Sequence, residues 1–339
     1  MITTTSSWKK LVALGKEAPQ STLSELFARD AQRAQHHTLD LNFGSSSIVA
    51  DFSKQNTSPE VIEALLALAQ DASVSTRRDA MFAGEPINAS EGQPALHVAL
   101  RAPSTHTIVV DGLDVVKEVQ RVRHAMADFA TGVRNGKIVG ATGKPFTHII
   151  NVGIGGSDLG PALVWDALSC SLKPSLLCSF VSNIDPVDVE KVLEKHDPQQ
   201  TLVVMCSKTF STSETLSNGR IIQQWLAESV GDAGVAQHCA VVSVEPERAT
   251  SAGIAFAHSF NIWPWVGGRY SVSSAVNLAN VVAFGSDVFD DFLSGMRAVD
   301  EHFIDAPLAK NIPVMMGLIS VWNRSILGRE TQAVVPYSS

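Results

Sequence analysis

The stretch "NVGIGGSDLGP", residues 151–161, follows the apolar run 146–150 and places three glycines and one serine in the five positions 153–157. A strand running into a glycine-rich turn and then a helix is the usual cradle for a dinucleotide pyrophosphate. The spacing breaks that pattern. A G-x-G-x-x-G string beginning at Gly153 needs glycine at 158, where the chain has Asp158, and no G-x-x-x-x-G-K-[ST] string occurs. What remains is the physics common to such turns: glycine lets backbone approach a ligand closely, and free N–H groups at a helix start attract an anion.

The rest of the chain says what kind of sheet that turn belongs to. From residue 146 onward, short β-rich runs ("FTHIINV", "SLLCSFVSN", "TLVVMCS", "HCAVVSV") alternate with helix-length segments. This alternation predicts a parallel α/β sheet covered by helices on both faces. All strand-to-helix turns then share one edge, and ligands bind where strand order reverses. The turns after the first and third of these strands are therefore expected to meet. Ahead of the sheet, residues 1 to 105 read as mainly helical with one hairpin. Thr22 and Glu25 form a capping-box pattern, and Ser58-Pro59 opens a helix with Val61, Leu65 and Leu68 on one face. Leu39, Leu41 and Phe43 alternate before Gly44-Ser45, as do Ile48, Ala50 and Phe52 after it. A long helix is predicted over 113–134, its stripe being Val115, Val119, Val122, Met126 and Phe129, with Asn135-Gly136 as the stop.

With 339 residues and 45% hydrophobic content, the chain can bury one large core or two ordinary ones. The net charge of −8 disfavours a nucleic-acid or anionic-membrane surface, so an anion site has to be a local feature. The start of the chain lacks the apolar length and cleavage site of a signal peptide, and the apolar run 312–322 is too short for a membrane span. Of the four cysteines, Cys178, Cys206 and Cys239 sit in apolar strand-like runs and no C-x-x-C pair occurs. Buried thiols in a reducing cytoplasm are the expectation, with no nucleic-acid partner and no membrane.

A second unusual loop, "SKTFSTSETLSN" (207–218), carries seven hydroxyl side chains in twelve positions together with Lys208. A helix cap accounts for one hydroxyl. Seven of them with a lysine, directly after an apolar strand, suit a phosphate monoester. No metal-ligand spacing appears among the histidines and carboxylates, so the phosphate reads as a handle that positions a small molecule for chemistry elsewhere. The third stretch, "WPWVGGRYSVSSAVN" (263–277), sets two glycines ahead of Arg269. Its guanidinium suits either stabilisation of an enolate oxygen or a structural ion pair with a carboxylate, and spacing alone leaves both open. Trp263 and Trp265 read as packing around Pro264.

These three stretches, in this order, closely resemble the signature segments of the glucose-6-phosphate isomerases, and "MFAGEPINASEG" followed by "ALHVALR" resembles that family's N-terminal motif. The resemblance runs from near residue 40 to Ser339. It implies a doubly wound α/β fold of the sugar isomerase (SIS) type, a mainly helical N-terminal region over 1–110, a first SIS domain over 111–288, and helices with a first strand of a second SIS lobe over 289–339. It implies isomerisation of glucose 6-phosphate and fructose 6-phosphate through a cis-enediol, with no metal or organic cofactor, in a cytoplasmic homodimer. Phosphate contacts carry over to Gly156, Ser157, Ser207, Lys208, Thr209, Phe210, Ser211 and Thr212. Arg269 matches the arginine beside the enediol, and Glu214 matches an acidic residue near the catalytic lysine; a first-turn carboxylate favoured by the helix dipole is the plainer account of Glu214. Gln93-Pro94 departs from the family's arginine, which predicts a local loop rearrangement.

The resemblance assigns the general base, the ring-opening histidine and a catalytic lysine to motifs past Ser339. The segment "TQAVVPYSS" resembles the first strand of the second lobe, and the apolar helix expected over 312–327 with the strand over 333–335 would need a covering partner. The chain thus reads as the N-terminal portion of an isomerase that keeps the phosphate grip. Two other classes stay in view. One is a phosphosugar-binding module without catalysis. The other is a nicotinamide-dependent oxidoreductase with Asp185 as its ribose-binding acid.

Overall fold

The computed structural model describes residues 1–18 and 22–337 and divides the chain into two compact units, Met1–Ala80 with Gly295–Ser339, and Met81–Ser294. This differs from the expected division at 110 and 288. The reason is packing. Residues 96–102 share a core with Val115, Val116, Val119, Trp265 and Val266, whereas Ile312, Met315, Leu318 and Trp322 share one with Leu11, Val61, Leu65 and Leu68.

In the first unit, α1 (Ser6–Glu17) and α2 (Leu23–Arg29) precede the hairpin β1 (Thr38–Phe43) and β2 (Ser46–Asp51), followed by α3 (Pro59–Asp71). The predicted capping box at α2 is present: Thr22 Oγ1 accepts from the Glu25 N–H, and the Glu25 carboxylate accepts from the Thr22 N–H at 2.8 Å. The hairpin keeps the predicted two-residue turn, with Phe43 opposite Ser46 and Gly44 at φ +55. Buried Arg33 ties the segment after the hairpin by donating to the carbonyls of Ser53, Gln55 and Thr57. The expected strand over 333–335 is absent. Its residues are irregular, and Val334 and Val335 are exposed, because no neighbouring strand in this unit offers them a ladder of backbone partners.

In the second unit, the loop of the N-terminal motif is closed by a bridge between Asn88 and Gln93. Helix α4 (Val115–Arg134) buries the whole predicted stripe and stops at Asn135, with Gly136 at φ +72. The sheet then builds from β3 (His148–Val152), β4 (Leu177–Val181), β5 (Thr201–Cys206), β6 (Cys239–Ser243) and β7 (His258–Asn261). All pairings are parallel, and the spatial order is β4-β3-β5-β6-β7. Alternate residues serve two cores. Ile149, Leu202, Val204 and Val242 face α4 and the apolar segment 275–284. Ile150, Val152, Val203, Met205 and Val241 face Val189 and the helix that carries Ile222 and Leu226. Burial on both faces is what turns these strands into nearly continuous apolar runs. Strand order reverses between β3 and β5, which brings the turns after the first and third strands side by side.

Candidate functional site

Val152, the last residue of β3, pairs with Met205 of β5. The glycine turn and the hydroxyl turn therefore leave the same edge of adjacent strands, spaced about 4.8 Å apart. After β3 the chain passes through Gly155, at φ +58, into the helix Gly156–Ser169 (α5). The glycines here serve close backbone approach. A Cβ on Gly156 would collide with the carbonyl of Gly268, and one on Gly160 would stand 2.8 Å from Val272. Among the described residues, the N–H groups of Gly155 and Gly156 have no backbone acceptor and the Ser157 hydroxyl has no partner. They form the positive end of a 14-residue helix.

In the hydroxyl turn, the Ser207 N–H is fixed to the Val242 carbonyl, and its Oγ accepts from the Phe210 N–H at 3.0 Å. Phe210 takes φ +46 while its ring is buried, so an aromatic anchor holds the loop in a conformation that side chains rarely adopt. Thr209 Oγ1 and Ser211 Oγ share a hydrogen bond of 2.6 Å. Thr212 stands at the N-cap position of the helix Ser213–Val230 (α6), yet its hydroxyl makes no capping bond. Capping therefore does not account for the hydroxyls of this loop. Lys208 Nζ donates to the Pro264 carbonyl at 2.8 Å.

The third segment touches both turns. Ser271 Oγ donates to the Gly156 carbonyl at 3.2 Å and to the Gly268 carbonyl at 2.7 Å, while the Pro264 carbonyl holds Lys208. Between these anchors lies Arg269, exposed and without an ion pair or side-chain hydrogen bond among the described residues. Of the two readings left open by spacing, the structural ion pair is not formed among the described residues. Trp263 and Trp265 stack on each other with centroids 5.0 Å apart and planes 9° apart, and Trp265 is buried, so they pack as expected. Tyr270 stacks on His97 of the N-terminal motif at 4.8 Å, which brings that motif to the same neighbourhood.

Glu214 lies in the first turn of α6. Its own backbone N–H and the Ser213 hydroxyl, at 2.9 Å, hold its carboxyl below the usual range. That is the first-turn reading, and Glu214 pairs with no cation among the described residues. Asp158, one residue past Ser157, is buried with one oxygen lacking a partner. Burial pushes its carboxyl up, against a hydrogen bond from Ser182, with the charge of Asp188 adding to the rise. Asp185 accepts from the Val187 N–H at 3.0 Å as the N-cap of the next helix, an ordinary capping role rather than a ribose-binding one. Cys178, Cys206 and Cys239 are buried as expected, the last two with thiols pushed up to about 12 by desolvation, while Cys170 is exposed. No helix among the described residues is long and apolar enough to cross a membrane.

Residue-by-residue reading missed Asn151, Asp158, Ser271 and the His97–Tyr270 stack. Asn151 carried a signal, since it is the only polar residue in the apolar run 149–152. The others required the fold.

A doubly wound parallel sheet, whose switch-point turns bring glycine N–H groups, hydroxyls and a lysine to one edge, defines an α/β protein of the nucleotide- and sugar-binding architecture class. The family model for phosphoglucose isomerase matches residues 51–339, and the chain belongs to that family. It is 44% identical over 338 residues to glucose-6-phosphate isomerase 4 of Rhodococcus jostii, covering 100% of this chain and 60% of that protein. It is 43% identical over 337 residues to the glucose-6-phosphate isomerase of Frankia casuarinae, covering 99% of this chain and 60% of that one. The crystal structure of a glucose-6-phosphate isomerase from Chlamydia trachomatis superposes with a TM-score of 0.82 at 26% identity, over 96% of this chain and 61% of that one. The chain thus spans about 60% of the length of the relatives it matches.

Proposed function

We propose that these residues form the sugar-phosphate grip of an aldose–ketose isomerase interconverting glucose 6-phosphate and fructose 6-phosphate, a step of glycolysis and gluconeogenesis. Gly156, Ser157, Ser207, Lys208, Thr209, Ser211 and Thr212 receive the phosphoryl group, and Phe210 holds their loop in shape. Arg269 faces the sugar carbons and stabilises the enediolate oxygen, with Glu214 in support. The observation that carries this reading is the clasp itself: residues 263–271 bond to the glycine turn through Ser271 and to the hydroxyl turn through Lys208, leaving Arg269 unpaired between them.

A handle of this kind needs little energy. Four or five donors to a charged group, at roughly 1.5–3 kcal/mol each before desolvation, exceed the roughly 4 kcal/mol of millimolar binding. The surplus is available to position the sugar for proton transfer. Isomerisation is proposed for the family's full-length architecture, in the cytoplasm and as a homodimer. For the 339 residues themselves, the proposal is binding of the sugar phosphate.

The test is a melting-temperature titration. Fructose 6-phosphate should raise the melting temperature of the chain in a saturable way and NADH should not. Stabilisation by NADH alone would transfer the site to the nicotinamide reading. A coupled assay showing ordinary isomerase turnover by these 339 residues would overturn the assignment of the base to later motifs.

A further inference from the structure

Helix α5 contains a proline at 161, one turn after the glycine turn. Proline has no N–H, so the helical bond that residue 161 would normally give to the carbonyl four positions earlier is missing. That carbonyl belongs to Ser157. It is not left bare. Asn151, fully buried in β3 among Ile149, Ile150 and Val152, donates its side-chain Nδ2 to the Ser157 carbonyl at 3.3 Å. At the other end of the amide, Cys206 Sγ of the neighbouring strand β5 stands 3.8 Å from Asn151 Oδ1, its one proton shared with the Val276 carbonyl at 3.7 Å.

We infer that Asn151 is the positioning residue of the anion-receiving turn. It supplies, from inside the sheet, the hydrogen bond that Pro161 withholds, and so fixes the first turn of α5 against the strand edge. An asparagine in an otherwise apolar, doubly buried strand costs desolvation unless its amide is paired at both ends. Here the pairing runs directly to the residue whose hydroxyl and neighbouring N–H groups face the proposed ligand. The arrangement also shows how a proline sits in this helix without disordering its start: the orphan carbonyl is satisfied by the sheet and not by the helix. Gly153 completes the fit, since a Cβ there would stand 2.7 Å from that same Ser157 carbonyl. Asn151 touches no ligand. It acts through Ser157, and its ligand-binding role rests on the phosphate reading above.

The test is a double-mutant cycle on the full chain, combining Asn151→Leu and Pro161→Ala. Two readouts are taken: amide hydrogen exchange at residues 157–159 without ligand, and affinity for fructose 6-phosphate. With Pro161 present, Asn151→Leu should speed exchange at these amides and weaken binding, each by about tenfold, as expected for one unsatisfied buried acceptor. In the Pro161→Ala background, where the new residue supplies an N–H of its own, the same substitution should change both by less than about threefold. A role in general core packing would give equal losses in both backgrounds, and that result overturns the inference, as does an unchanged exchange pattern in a folded Asn151→Leu chain. Where the leucine variant does not fold, Asn151→Ala is run in its place. Folding only in the Pro161→Ala background supports the inference, and failure in both backgrounds contradicts it. Should the unmutated chain bind no fructose 6-phosphate, the phosphate reading fails, while the exchange cycle still decides whether Asn151 replaces the missing bond.

Discussion

Lys208 and Arg269 are both cations of the proposed grip, and their surroundings differ. Lys208, in the loop that carries the hydroxyls, already donates to the Pro264 carbonyl. Arg269 is held only through its backbone. Lys208→Ala should therefore weaken fructose 6-phosphate binding to the chain by about tenfold or more, since a hydrogen bond to a charged group is lost, whereas Arg269→Ala should weaken it by less than about threefold. Calorimetric titration checks both. Equal losses would place Arg269 on the phosphoryl group. At this scale, sequence reading found the hydroxyls and cations because seven Ser and Thr side chains in twelve positions exceed what capping requires. Asn151 stands out in the sequence only as the one polar residue of its run, and its meaning depends on a proline ten positions later being folded back over it.

At the scale of the element, what holds the hydroxyl turn is an aromatic anchor. Phe210 keeps positive φ because its ring is buried in the core beneath the sheet and its N–H is tied to Ser207. Phe210→Ala should cost about 3 kcal/mol of stability by cavity formation, with a loss of sugar-phosphate affinity beyond that of a surface substitution. Urea unfolding and the same titration measure the two effects; full affinity in a destabilised chain would mean that the turn keeps its shape unaided. In the first unit, Thr22→Ala removes one arm of a complete capping box and should destabilise by about 1 kcal/mol, read from the urea midpoint. Elements of this kind were legible wherever a local rule governs them: the capping box, the two-residue hairpin turn and the five-residue stripe of α4 all stand where periodicity put them. Strand β7 (His258–Asn261) was not legible. Its sequence, HSFN, is mostly polar, and it becomes a strand only by pairing with β6.

At the scale of the whole molecule, the unit boundaries were the least legible feature. Packing of 312–322 against Leu11 and Leu65 joins segments some 250 to 300 residues apart in the chain, and no local pattern reports such a partner. Burial also sets a pH dependence. His196, bonded through Nε2 to the Ser179 hydroxyl at 2.9 Å, is held down at about 4 by desolvation, with the charges of His148 and Lys195 adding. Below its ordinary value of 6.5, the unfolded chain binds a proton at this ring that the folded chain refuses. The contribution of the neutral ring is present above that value and is lost as pH falls toward about 4, where the folded ring also protonates. His196→Gln should flatten the fall in stability across this window, measured by urea unfolding at stepped pH. An unchanged slope would assign the acid sensitivity to other groups.

In the proposed site, the turn after β3 and the turn after β5 grip one phosphoryl group together. A crystal structure of the chain soaked with fructose 6-phosphate measures this directly. Phosphoryl oxygens should lie within hydrogen-bond reach, about 3.2 Å, of both the Ser157 and the Thr209 hydroxyls, with Lys208 alongside. A sugar phosphate bound elsewhere, or one that touches only one of the two turns, would contradict it.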